Sequence, residues 1–114
     1  MRTLFSKEAI DEIMTVYVNN LKVELGSNLK AVILYGSCDR GDYEVGSDID
    51  VFIILQDASK EAIDMIDKLS IRLDWDYDTL IACTIRSADI YNKYYYETLY
   101  QNIRREGKVY YGAA

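Results

Sequence analysis

Two apolar runs, Ala31-Val32-Ile33-Leu34-Tyr35 and Val51-Phe52-Ile53-Ile54-Leu55, flank a small, polar and acidic stretch, residues 36–50, that reads GSCDRGDYEVGSDID. Each run is short and rich in β-branched and aromatic residues, which favours strand over helix. The chain between them must therefore work as a turn and loop joining two strands. Gly36-Ser37 closes the first strand and Asp48-Ile49-Asp50 leads the second.

That spacing has chemical content. In a strand, residues i and i+2 project to one face with Cα atoms about 6.5–7 Å apart, so Asp48 and Asp50 point together. Two hard oxygen donors side by side suit Mg²⁺, which takes one or two protein carboxylates and completes its shell with water and substrate phosphate. A pair of such ions can serve both the attacking and the leaving oxygen of an in-line displacement. Gly36 permits a tight turn and a close approach of backbone to ligand. Ser37 is a good helix N-cap, and free N–H groups beyond it would face an anion. A lone Asp-x-Asp is a weak signal, because Asp is common in turns. Both halves in register with two strands are far more specific. Asp42 and Glu44 read as solvated loop residues.

The remaining pattern completes an α+β domain. Ser6 caps a helix over residues 7–25, with Phe5 and Ile10 as a hydrophobic staple. Ile10, Ile13, Met14, Tyr17, Leu21 and Leu25 share its inner face, and Gly26 stops it. Strands are predicted at about 30–35 and 48–55, the second buried on both faces. A helix over about 60–73 turns Ala62, Ile66, Leu69 and Leu73 inward. Asp74-Trp75-Asp76-Tyr77-Asp78 then reads as an acidic-aromatic alternation leading a third buried strand, residues 79–85. Two short helices, about 87–95 and 99–106, or one bent helix, follow. Thr98 and Gln101 have capping-box spacing, Gly107 is a stop, and residues 108–111 form a last short strand.

At 114 residues the chain is expected to be one domain, 1–114, with one core. Its apolar runs are too short to span a bilayer, which needs about 20 residues, and the first residues lack the apolar stretch of a signal peptide; the expectation is a cytoplasmic protein without a membrane role. There is no histidine, so histidine-based nucleophile activation and histidine-containing zinc sites are excluded, leaving carboxylates as the chemical groups. The net charge of −6 argues against direct nucleic-acid binding, but not against a nucleotide, since divalent metal can reverse the local field. Cys38 and Cys83 do not make a disulfide framework and are expected as reduced thiols. The eleven tyrosines suit core and surface positions as well as an interface.

Residues 30 to 85 resemble the minimal nucleotidyltransferase family of the DNA polymerase β superfamily. The family pattern is Gly-Ser, ten residues, Asp-x-Asp, with Arg-Gly in the loop and Ser before the first Asp. Gly36, Ser37, Arg40, Gly41, Ser47, Asp48 and Asp50 match it. The end of the chain, Tyr100 to Gly107, resembles small bacterial members. The resemblance implies a polymerase β-like fold, with a small mixed sheet flanked by helices. It also implies transfer of AMP from ATP, with two Mg²⁺ ions held by Asp48 and Asp50 and the nucleotide phosphates held by Gly36, Ser37, Arg40 and Ser47. The family uses a third carboxylate on a later strand. Asp78, leading the third strand, is the first choice for metal and catalysis, with Asp76, of the same strand parity, second and Asp74 third. Members of this kind are antitoxins, here of type VII, paired with a HEPN-domain ribonuclease toxin whose tyrosine accepts the AMP. With almost nothing beyond a catalytic core, the acceptor is expected in trans, in a hetero-oligomer or at a homo-oligomer's second wall. Two other readings stay open: a non-catalytic module that neutralises its partner by contact, and an enzyme that modifies a small molecule, as antibiotic-modifying relatives do.

Overall fold

In the computed structural model, which describes residues 6–36 and 48–112, four strands form one mixed sheet in the order β3-β2-β1-β4. The strands are β1 (Leu29–Tyr35), β2 (Ile49–Leu55), β3 (Ile81–Ser87) and β4 (Lys108–Gly112). β2 pairs antiparallel with β1 and parallel with β3, and β4 adds antiparallel to the free side of β1. The helices are α1 (Lys7–Leu25), α2 (Lys60–Tyr77), α3 (Ala88–Lys93) and α4 (Thr98–Glu106). Among the described residues no helix is long and apolar enough to cross a membrane.

Strand alternation divides the core into two faces. Val32, Leu34, Val51, Ile53 and Leu55 pack with Ile10, Ile13, Met14, Tyr17 and Leu21 of α1 and with Ile66 and Leu73 of α2. Ala31, Ile33, Phe52 and Ile54 point the other way, onto Tyr91 of α3 and Tyr100 and Ile103 of α4. Phe52 lies 5.9 Å from the Tyr91 ring and 5.6 Å from the Tyr100 ring, within the usual range for aromatic pairs. β2 is therefore covered on both sides, as its unbroken apolar run requires.

α1 has the expected ends: Ser6 Oγ accepts from Ala9 N–H at 3.1 Å, and Gly26 stands at the C-cap with φ 54°. Ser59 caps α2 in the same way. Phe5, the other half of the expected staple, lies outside the described residues.

Four expectations are corrected. α2 does not stop at Leu73 but continues to Tyr77, because the helical apolar stripe runs on into the segment read as a strand leader. β3 consequently starts at Ile81 rather than Thr79. β3 is also an edge strand, and apart from Ile81 it is only half-buried, whereas a fully buried strand was expected. No capping box forms at Thr98: Glu97 is the N-cap residue without a side-chain cap bond, and Gln101 Nε2 instead donates to the Tyr96 carbonyl at 2.6 Å.

Candidate active site

Asp48 is the residue before β2 and is exposed; Asp50 is the second residue of the strand and half-buried. Between them Ile49 is fully buried, and its N–H donates to the Leu80 carbonyl at 2.8 Å. That bond extends the ladder to the very start of β2, so the two carboxylates leave the sheet on one side by strand alternation. It is the side that carries Phe52 and Ile54 and is covered farther along by α3 and α4.

Three neighbours frame Asp50. Its register partner on β1 is Tyr35, and its partner on β3 is Ala82. The third is Gly36, with φ 78°. A Cβ on Gly36 would meet the Asp50 carboxylate, lying 3.2 Å from its Cγ. Glycine is required there twice over: for the left-handed backbone, and because any side chain would occupy the space of the carboxylate.

Asp78, the first choice for the third carboxylate, does not lead the third strand as expected. Asp78 is the C-cap of α2, in the left-handed conformation with φ 50° and ψ 52°. It stands two residues before Leu80, at the Asp48 end of the sheet, but arrives from α2, which packs on the opposite face. Asp76 is in the last turn of α2, so the argument from shared strand parity does not apply to it. Asp74 is also helical and has structural work: its Oδ1 accepts from Ile81 N–H at 2.8 Å, fixing the first residue of β3. Asp74, Trp75 and Asp78 line a shallow cleft there. Among the described residues, no group of three or more Cys, Asp or Glu side chains is arranged to hold a metal ion. Ser37, Arg40 and Ser47, expected at the phosphates, lie outside the described residues, as does Cys38.

Two residues on the site face were not singled out from the sequence. The Tyr35 hydroxyl lies 3.2 Å from Thr84 Oγ1, and Thr84 is the register partner of Phe52 on β3. Counting strand parity from Asp50 would have placed both beside it, had the β1–β2–β3 order been known.

Cys83, the next residue, points to the opposite face. Its Sγ lies 3.0 Å from the Tyr17 hydroxyl, which is also 2.7 Å from Ser70 Oγ. Burial pushes the Cys83 thiol above its ordinary range and the Tyr17 phenol well above its own. A thiol held protonated under helices is a poor nucleophile.

Comparison with known proteins points to the same chemistry. The model of the family described as nucleotidyltransferase domain matches residues 18–110. A Methanocaldococcus jannaschii protein, provisionally named a protein adenylyltransferase, is 34% identical over 95 residues, 83% of this chain and 91% of its own length. Among solved structures, a toxin–antitoxin structure with AMP-PNP superposes with a TM-score of 0.61 at 20% identity, over 86% of this chain and 73% of that one. A complex of tri-AMPylated Shewanella oneidensis HEPN toxin with its MNT antitoxin gives 0.55 at 16% identity, over 95% and 74%. At these identities the two structures establish likeness of fold.

Proposed function

Because the chain belongs to the nucleotidyltransferase domain family, we propose that it transfers AMP from ATP to a hydroxyl of a partner protein. The acceptor in this proposal is a tyrosine of a HEPN-domain toxin, which the modification would neutralise. The observation that carries the reading is the pairing of Asp48 and Asp50 on one face at the start of β2, with Gly36 backed against the Asp50 carboxylate. The names of the relatives support it: one is an adenylyltransferase of proteins, and one solved antitoxin is held with a HEPN toxin carrying AMP.

The donor set fits Mg²⁺: two hard carboxylate oxygens on one face, with a glycine that leaves their side open. Asp48 and Asp50 would hold two such ions. Bound there, Mg²⁺ would supply neutralisation of phosphate charge and polarisation of the reacting oxygens. The protein's own part is positioning. Gly36 and Ser37 offer backbone N–H groups to the phosphates, with Arg40 and Ser47 as further contacts. Asp78, at the rim, is kept as the third carboxylate and receives the proton of the incoming hydroxyl rather than joining the metal shell. The hydroxyl oxygen bonds to the α-phosphorus, the bond to the β-phosphate bridge breaks, and pyrophosphate leaves. A reaction fed by ATP would suit a cytoplasmic location.

Thermal unfolding tests the site itself. Without metal the two carboxylates repel each other. Millimolar Mg²⁺ with ATP should raise the melting temperature by several degrees, as a ligand at 100 times its Kd adds about 2.7 kcal/mol. The Asp48→Ala/Asp50→Ala variant should lose that shift. A wild-type melting temperature indifferent to Mg²⁺ and ATP would refute the nucleotide site.

A further inference from the structure

Tyr35 spends its hydroxyl in an unusual direction. Its Cα is paired with Asp50 on β2, yet its hydroxyl reaches Thr84 on β3, at 3.2 Å. β1 and β3 are separated by β2, so the ring must cross a whole strand, about 10 Å from β1 to β3 at ordinary strand spacing. Thr84 pairs with Phe52 and Ala82 pairs with Asp50, so the phenol runs diagonally over β2 between Asp50 and Phe52. Gly36 stands against the Asp50 carboxylate on one flank, and the bridge carries the Tyr35 side chain over β2 beside Asp50. Ala82, on its third side, carries only a methyl group. The hydroxyl bridge holds the Tyr35 side chain on the carboxylate's face of the sheet.

We propose that Tyr35 and Thr84 are positioning residues for the metal-binding carboxylate: their hydroxyl bridge straps the Tyr35 ring across β2 and fixes the direction of Asp50. This rests on the reading of Asp48 and Asp50 as metal ligands. Groups that orient a ligating carboxylate commonly cost ten-fold or more in metal affinity when lost, whereas a bridge that only held the fold would leave affinity unchanged.

Titration of the whole chain with Mn²⁺, followed by electron paramagnetic resonance without nucleotide, tests it. Tyr35→Phe and Thr84→Val should each weaken Mn²⁺ binding by about ten-fold or more, and combining them should add little because they break the same bridge. Thr84→Ser, which keeps the hydroxyl, should bind as the wild type does. The metal-free melting temperature is measured for every variant, and the affinity loss should exceed what any loss of folded protein explains. Wild-type affinity in Tyr35→Phe, or a loss in Thr84→Ser equal to that in Thr84→Val, overturns the proposal. Mn²⁺ binding that survives Asp48→Ala/Asp50→Ala overturns instead the reading on which it rests.

Discussion

Asp50 of β2 and Ala82 of β3 are partners across a parallel ladder, on the face of the sheet that carries the carboxylate pair. A third carboxylate in the metal shell would be built most directly at residue 82, about 4.8 Å across the ladder. This chain has a methyl group there. Ala82→Asp should therefore create the missing ligand. Mn²⁺ affinity should rise by roughly ten-fold, since affinity for hard cations follows the number of charged ligands. The metal-free melting temperature should fall, because like charges then crowd one site. Unchanged affinity in this variant would mean that the ions are not held over this face.

Gly36 gives a second test. With φ at 78° and the Asp50 carboxylate against its Cα, Gly36→Ala pays for the left-handed backbone, about 1–2 kcal/mol, and displaces the carboxylate as well. The melting temperature should drop by roughly 5–15 °C, and Mn²⁺ affinity should fall in the protein that remains folded. Retention of wild-type affinity would contradict the frame drawn around Asp50.

The acidic segment before β3 separates structural from chemical carboxylates. Asp74→Ala removes the acceptor for Ile81 N–H and should cost about 1–2 kcal/mol, while Asp74→Asn, which keeps an oxygen, should cost less. Asp76 is exposed on α2, and Asp76→Ala should change stability by less than about 0.5 kcal/mol. Urea unfolding measures all three. A large loss of stability from Asp76→Ala, with none from Asp74→Ala, would reverse these roles.

The buried Tyr17–Ser70–Cys83 cluster predicts a pH dependence. The folded chain holds the Cys83 thiol protonated, chiefly through burial, so the unfolded chain ionises first. A group with a raised folded pKa contributes stability that is complete below its unfolded pKa and lost as pH rises. Stability should hold up to about pH 8.5 and decline above it, by up to about 1.4 kcal/mol per pH unit for one thiol. Cys83→Ala should flatten the first part of that decline, with Tyr17 still bonded to Ser70. An identical alkaline slope in both proteins would contradict this cause.

Much of this fold is legible in residue patterns, and the exceptions have physical reasons. The α1 stripe from Ile10 to Leu21, the cap at Ser6, and the β2 run are local signals that tertiary packing reinforces. The segment from Asp74 to Asp78 is ambiguous in sequence, because its acidic-aromatic alternation fits an exposed strand end and an exposed helix end alike. Leu73 and the half-buried Tyr77, four apart, were the helical signal within it. The edge position of β3 depends on strand order, which no local pattern carries. The carboxylate pair and its glycine could be read because strand parity and turn chemistry are short-range. Tyr35 and Thr84 could not, since they lie 49 positions apart in the chain and meet only across a middle strand.

The central claim is that Asp48 and Asp50 support nucleotidyl transfer to another protein. Its most direct test is ATP labelled at the α-phosphate, incubated with this chain, Mg²⁺ and a HEPN-domain protein as acceptor. The account predicts label on a tyrosine of that protein, with release of pyrophosphate. Loss of one transition-state-stabilising group typically costs 10²–10³ in rate, so transfer should fall by at least about a hundred-fold in folded Asp48→Ala/Asp50→Ala. Transfer by that double variant at the wild-type rate would contradict the account.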